Sequence, residues 1–344
     1  MQDSRIDFST LLAQASAADI TTLRSFLLSD PSRPLIATGS GGAESVADFA
    51  ALLYGARGGM AAAVTPYTLN AYSDDALRAS KLLLVSKGGH NNDILFAAKR
   101  GLAVNPLETA SFTLSTGDRN EVRKAFLKAG SALSIDIPGI KAHEGFVSIG
   151  TPLAYFALLC RTFDSDCDLS KYSRLPEKPF RLEWNDGTAL TPEDLRDVRH
   201  YVVLHGSWGR PVAKNLEGKL MESGLCLTSV CDYRNYCHGR FIFTSNHLED
   251  SAIVLLVSPR ERDIAERTRK FLPASTRLVI IETETDAPEA SLDLLLRSTE
   301  FFFSLCGSTG TDWESPRNPG KIDKRVPMSV PFMAEMKKSG PLRL

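Results

Sequence analysis

The stretch Pro34-Leu35-Ile36-Ala37-Thr38-Gly39-Ser40-Gly41-Gly42-Ala43-Glu44-Ser45 reads as a short apolar strand running into a glycine-rich turn. The helical spacing of Val46, Phe49, Leu52 and Leu53 follows directly. A strand, a tight turn and an amphipathic helix in that order make a βα unit, and the unit recurs. Further strands are predicted over 61–65, 82–85, 111–114 and 132–135, with helices over about 92–99 and 119–127. Continuous apolar strands between helices predict a parallel sheet covered on both faces.

The pattern then starts again. A strand over 201–204 meets the turn His205-Gly206-Ser207-Trp208-Gly209-Arg210 and a helix over about 212–223. A strand over 252–257 ends in Ser258, a helix follows over 264–271, then a strand over 278–281 and a helix over 290–305. Gly39 and Ser86 correspond in position to Gly206 and Ser258. Self-similarity on this scale predicts two copies of one domain. We therefore expect an α/β chain with an N-terminal helical segment at 1–24, one domain at 25–162 and a linker at 163–190. A second domain spans 191–312, and an irregular tail, carrying Pro316, Pro319, Pro327, Pro331 and Pro341, occupies 313–344.

The 344 residues are 43% hydrophobic and 24% charged, enough for a sizeable core. The net charge of −1 offers no overall basic excess for a nucleic-acid partner. No stretch approaches the roughly 18 apolar residues of a membrane span, and the start of the chain has no apolar signal core. The six cysteines form no Cys-x-x-Cys pair and read as reduced thiols. The expectation is a cytoplasmic protein that meets neither nucleic acid nor membrane.

Two strand-to-helix junctions in the first half could hold an anion. One is Gly39-Ser40-Gly41-Gly42-Ala43-Glu44-Ser45, the other Ser86-Lys87-Gly88-Gly89-His90-Asn91-Asn92-Asp93. Free N–H groups and the positive dipole end of a helix meet there, glycine permits close approach, and serine adds a donor. Each loop alone is equally well a plain βα turn; together, at matching sheet ends, they favour a ligand crevice. A dinucleotide site fits poorly, because Glu44 stands where Gly-x-Gly-x-x-Gly needs its last glycine. No Gly-Lys-Ser/Thr follows either loop, and the six histidines lack metal-site spacing. No cofactor and no metal are expected.

These loops, in this order, resemble the sugar-isomerase (SIS) domain family, which includes the isomerase half of glucosamine-6-phosphate synthase and the phosphosugar deaminases and deglycases. The second family loop reads Ser-x-Ser-Gly-x-x-x-Asp; Ser86, Gly89 and Asp93 keep it and Gly88 departs from it. Gly42 and Ala43 stand where relatives often place Thr and Ser. Phe146-Val147-Ser148-Ile149 looks like the family segment that lines the sugar, and Asn215-Leu216-Glu217-Gly218-Lys219-Leu220-Met221-Glu222 resembles its Glu-x-x-x-Lys-x-x-Glu helix. Asp232-Tyr233-Arg234-Asn235-Tyr236-Cys237-His238-Gly239 resembles its Glu-Leu-Lys-His-Gly loop. Pro316-Arg317-Asn318-Pro319-Gly320-Lys321 looks like the synthase's C-terminal Pro-Arg-Asn-Leu-Ala-Lys.

The resemblance implies two tandem flavodoxin-like SIS domains with parallel sheets, and a tail that covers the site. It implies a homodimer with shared sites and a phosphorylated sugar or related molecule as ligand. The phosphate would lie among Gly39, Ser40, Gly41, Gly42, Ser45, Ser86, Lys87, Gly88, Gly89, His90 and Asn91, with Ser148 beside the sugar. Glu222 would move a proton between sugar carbons, Lys219 would accompany it, His238 would open the ring, and Lys321 would meet the open keto form. Helical spacing alone sets Lys219 and Glu222 on one face and Val212, Leu216 and Leu220 on an apolar stripe, which is equally an ordinary surface pair. The implied activity is that of a phosphosugar isomerase, deaminase or deglycase. The alternative is a non-catalytic module that binds a sugar phosphate or nucleotide-like ligand, and the altered Gly42, Ala43 and Gly88 speak for it.

Overall fold

The computed structural model describes residues 6–115, 117–130, 132–140 and 145–320. They form two compact units. The first holds the described residues of 10–140, 154–168 and 318–320, the second those of 6–9, 145–153 and 169–317.

The first unit is built on β1 (Leu35–Thr38), β2 (Ala61–Val64), β3 (Lys81–Val85), β4 (Thr109–Thr113) and β5 (Leu133–Asp136). All pairs are parallel, in the order β2-β1-β3-β4-β5. Side chains alternate across a strand, and both alternating sets are buried. Ile36, Leu82 and Leu84 pack with Ile94, Ala97, Val122 and Phe126 from the helices Asn92–Val104 and Glu121–Ala129. Leu35, Ala37 and Leu83 are equally inaccessible. Phe49 of the helix Gly42–Ala56 stacks on Phe156 at 4.4 Å. Each such side chain contributes about 1.5–3 kcal/mol on full burial. The chain leaves β1 for β2 on one side and then crosses to β3 on the other. That reversal falls between the carboxyl ends of β1 and β3, the place where open α/β sheets bind their ligands.

The second unit carries β6 (Arg181–Trp184), β7 (His200–His205), β8 (Leu227–Asp232), β9 (Ser251–Val257) and β10 (Arg277–Glu282), in the order β6-β10-β9-β7-β8. β7 to β10 are parallel, but β6 runs antiparallel to β10. The parallel sheet expected of this half is therefore mixed, and its fifth strand comes from residues whose composition reads as a linker. An edge strand bonds on one side only and tolerates charge. Arg181 reaches Glu282 at 3.2 Å, and Glu183 reaches Arg269 at 2.6 Å. β8, the opposite edge, also lacks the continuous apolar run by which the other strands are read. The core contains Val202, Leu204, Ile253, Leu255, Leu278 and Ile280, closed by Tyr233 and Tyr236.

Residues 233–246 are not the open loop that their motif suggests. They form the helical turn Tyr233–Asn235, a wide turn at Tyr236–Arg240 and the helix Phe241–Asn246. The described part of the tail is anchored as well. The Phe146 N–H donates to the Glu314 carbonyl at 2.8 Å and the Val147 N–H to that of Trp313 at 3.3 Å. Trp313 packs against Phe303, with ring centroids 5.6 Å apart. No helix among the described residues is long and apolar enough to cross a membrane.

Candidate functional site

In the first unit the two glycine-rich loops leave neighbouring strands, whose ends pair at Thr38 and Leu84. The Asn91 side-chain amide donates to Ser40 Oγ at 3.4 Å and so ties the loops together. Asn91 also caps its own helix, accepting from the Ile94 N–H at 2.8 Å. Gly39 is required by space, since a Cβ there would lie 2.6 Å from the Ala43 carbonyl oxygen. Gly89 is required twice over. Its φ of +61° is left-handed, and a Cβ would overlap Asn120 Oδ1.

The donors available to an anion follow from these bonds. Ser86 Oγ accepts from the Gly89 N–H at 3.1 Å, and Ser40 Oγ accepts from Asn91, so each hydroxyl keeps its proton to give. Ser45 does not: it is buried and donates to the Gly42 carbonyl at 2.8 Å. At the starts of the two helices the N–H groups of Gly42 and Asp93 add to the two hydroxyls, whereas those of Ala43 and Glu44 are taken by the Ser40 and Gly41 carbonyls and that of Ile94 by Asn91. Lys87 and His90 are exposed on the second loop, with the His90 ring over Gly88, where a Cβ would sit 2.5 Å from Nδ1. At the base, the buried Thr38 hydroxyl has no hydrogen-bond partner.

Residues that the sequence does not single out hold the second loop from behind. The Gly89 carbonyl accepts from Val122 N–H at 3.0 Å. Asn120 donates to Thr113 Oγ1 at 3.0 Å and to the Ser115 carbonyl at 2.8 Å. Asp136 collects Thr113 at 2.5 Å, Ser134 at 2.8 Å and Arg123 at 3.0 Å. The Tyr155 hydroxyl donates to the Ser86 carbonyl at 3.0 Å, and burial pushes its pKa well above the ordinary value, so it stays a donor. Apart from Tyr155, which lies within the helix Gly150–Phe163, their sequence signal is polarity near strand ends. Asp93, inside the first turn of its helix, has its carboxyl pushed up by burial.

The second unit holds the groups matched to acid–base roles. Val212, Leu216 and Leu220 are fully buried, as the apolar stripe predicts. Glu222 ends the helix Arg210–Glu222 and is exposed. Lys219 does not share that exposure. Lys219 is 2% exposed and donates to Thr299 Oγ1 at 2.7 Å, because the helix Ala290–Thr309 packs over that face. His238 is exposed in the wide turn, where Gly239 takes φ +107°. Ser148 is half-buried next to the buried Val147, on the segment bonded to the tail. Lys321 lies outside the described residues. Among the described residues no group of three or more His, Cys, Asp and Glu is placed to hold a metal.

No model of a protein family matches the sequence, and no curated protein does. Solved structures do. Tagatose-6-phosphate ketose/aldose isomerase from Escherichia coli superposes with a TM-score of 0.65 at 16% identity, covering 91% of this chain and 94% of its own. Glucosamine-6-phosphate deaminase from Thermotoga maritima gives 0.64 at 14%, covering 90% and 96%. The C-terminal domain of glucosamine-fructose-6-phosphate aminotransferase from Francisella tularensis gives 0.63 at 12%, covering 90% and 95%. The fold is the tandem sugar-isomerase fold.

Within that fold, the second unit repeats the first unit's loop pair with different contents. Gly206 follows β7 as Gly39 follows β1, and Ser258 follows β9 as Ser86 follows β3. Three residues past Ser86 stands Gly89; three past Ser258 stands Glu261. Glu261 is buried, its carboxylate accepts the N–H and hydroxyl of Ser258, and a Cβ on Gly206 would overlap its other oxygen.

Proposed function

We propose that the chain is a cytoplasmic enzyme acting on a sugar phosphate or amino-sugar phosphate, as an isomerase, deaminase or deglycase. The observation that carries this reading is the first loop pair, with two hydroxyls that still have protons to donate, tied by Asn91 at the β1–β3 reversal. That is where an open α/β sheet binds ligand. The crevice would hold the phosphate through Ser40, Ser86, the N–H groups around Gly41, Gly42 and Gly88, and Lys87. Glu222 would be the base between sugar carbons, His238 the ring-opening acid and base, and Ser148 a contact to the sugar. Lys321 remains part of the proposal through its motif alone.

A carboxylate base works best when shielded from water, which raises its pKa toward neutrality. Glu222 and His238 are both exposed on one chain. The reading therefore assigns their cover to a second copy and to the tail, in a homodimer with shared sites.

The test is exchange of solvent deuterium into carbon-bound positions of a panel of ketose, aldose and amino-sugar phosphates, followed by NMR. Exchange with at least one of them, lost in Glu222→Gln, is expected. Binding without exchange of any of them favours the non-catalytic module that the altered Gly42, Ala43 and Gly88 suggest.

A further inference from the structure

Glu261 follows Ser258-Pro259-Arg260 at the start of the helix Arg262–Phe271. Its Oε2 accepts from the Ser258 N–H at 3.2 Å and from the Ser258 hydroxyl. A Ser-x-x-Glu capping arrangement accounts for that oxygen. It does not account for the other one. Oε1 occupies the space that Gly206 leaves by lacking a side chain, and the residue is only 8% exposed. An ordinary cap is solvated, and burying a carboxylate costs free energy unless donors surround it. Here the surroundings are a turn glycine and a strand-end serine, the same pair that frames the first crevice.

We propose that the second loop pair is an oxyanion site filled by the chain's own carboxylate, and that removing this carboxylate opens it to a tetrahedral oxyanion such as phosphate or sulfate. The incoming ion would take the Ser258 N–H and hydroxyl, with the first-turn N–H groups and dipole of the helix behind them. Pro259 offers no N–H, and Arg260 is held by Asp286 at 2.8 Å, so neutral donors dominate. In the wild-type chain this position is closed to ligand.

The test titrates inorganic phosphate into the full-length wild type and Glu261→Ala, counting sites by calorimetry and following melting at constant ionic strength with chloride as control. The variant should take up one phosphate more per chain than the wild type. This difference is independent of whether the first loop pair binds phosphate, so it stands or falls apart from the proposed activity. Phosphate at about 100 times its dissociation constant should raise the variant's folded-to-unfolded ratio about a hundredfold beyond any wild-type gain. That rescue is readable even if the variant is poorly folded in chloride alone. Glu261→Gln keeps the shape that fills the place and should gain no site. Equal site counts in Glu261→Ala and wild type, a rescue no larger with phosphate than with chloride, or a site gained by Glu261→Gln would each overturn the proposal.

Discussion

The two loop pairs share a backbone plan and differ in charge. Each sets a turn glycine after the first parallel strand of its sheet and a serine after the third. In the first, Ser86 Oγ accepts from the N–H of Gly89 and keeps its proton. In the second, Ser258 gives its proton to Glu261. One side chain, three residues beyond the serine, separates a turn that can receive an anion from a turn that already holds one. The lesson is that a strand–turn–helix junction supplies donors by geometry alone, and a neighbouring side chain decides whether a ligand can use them.

The comparison extends to the division of labour proposed above, in which the first unit binds and the second supplies the reacting groups. Its sharpest test is Glu222→Gln, expected to lower turnover by about 10²–10⁴-fold with little change in KM, the usual share of general acid–base catalysis. A variant that loses affinity and keeps turnover would break the division.

Next in size is a paired experiment on the two serines. Ser86→Ala removes one donor to a charged ligand, worth about 1.5–3 kcal/mol, so sugar-phosphate affinity should drop about 10- to 100-fold. Ser258→Ala should leave that affinity unchanged and lower stability by about 1–3 kcal/mol, since the buried Glu261 carboxylate loses one of its two Ser258 donors. Equal effects on affinity would erase the distinction between the loop pairs.

Gly89→Ala probes why the first pair carries no side chain at the position of Glu261. The left-handed backbone and the fixed Asn120, bonded to Thr113 and Ser115, leave no room. A loss of about 1–3 kcal/mol is expected in denaturant unfolding; a neutral substitution would show that the network behind the loop is slack.

The smallest expected effect is a contrast in pH. His200, buried at the start of β7, is pushed below its ordinary value of 6.5 by burial and by His247, and its Nδ1 has no partner. The folded chain resists its protonation, so stability is intact above about pH 6.5 and falls as the pH drops from there toward the lowered value. Asp93 has the opposite sign. Burial raises it above 3.8, so the folded chain binds that proton first and gains stability as the pH falls through the raised value. Between about pH 7.5 and about pH 5, the melting temperature of wild type should fall more than that of His200→Gln. Parallel curves would assign the loss to another group.

Much of this was legible in the residues. Leu35–Thr38, Lys81–Val85 and Ser251–Val257 are apolar throughout or nearly so, because central parallel strands are buried on both faces. β6 and β8 were not, because edge strands are half-buried and mix Arg, Glu, Thr and Ser with their apolar residues. The loops of the first crevice stood out by glycine and serine, but the bonds of Ser45 and Lys219 could not be read from spacing. Ser45 turns back onto the Gly42 carbonyl of its own helix, and Lys219 depends on the helix that packs across from it. That the Glu261 carboxylate is seated against Ser258 and Gly206 depends on where a side chain points, which spacing does not give.

β6 also bears on how the second half could be dissected. Because Arg181–Trp184 closes the outer side of β10, the smallest self-sufficient piece of that half must begin before residue 181. A fragment begun at about residue 191, where the internal repeat suggests a cut, would bare the backbone of Arg277–Glu282, whose Leu278, Val279, Ile280 and Ile281 are apolar. Such an edge recruits strands from other chains. Expression trials of the isolated half would thus turn on ten residues that belong to neither copy of the repeat.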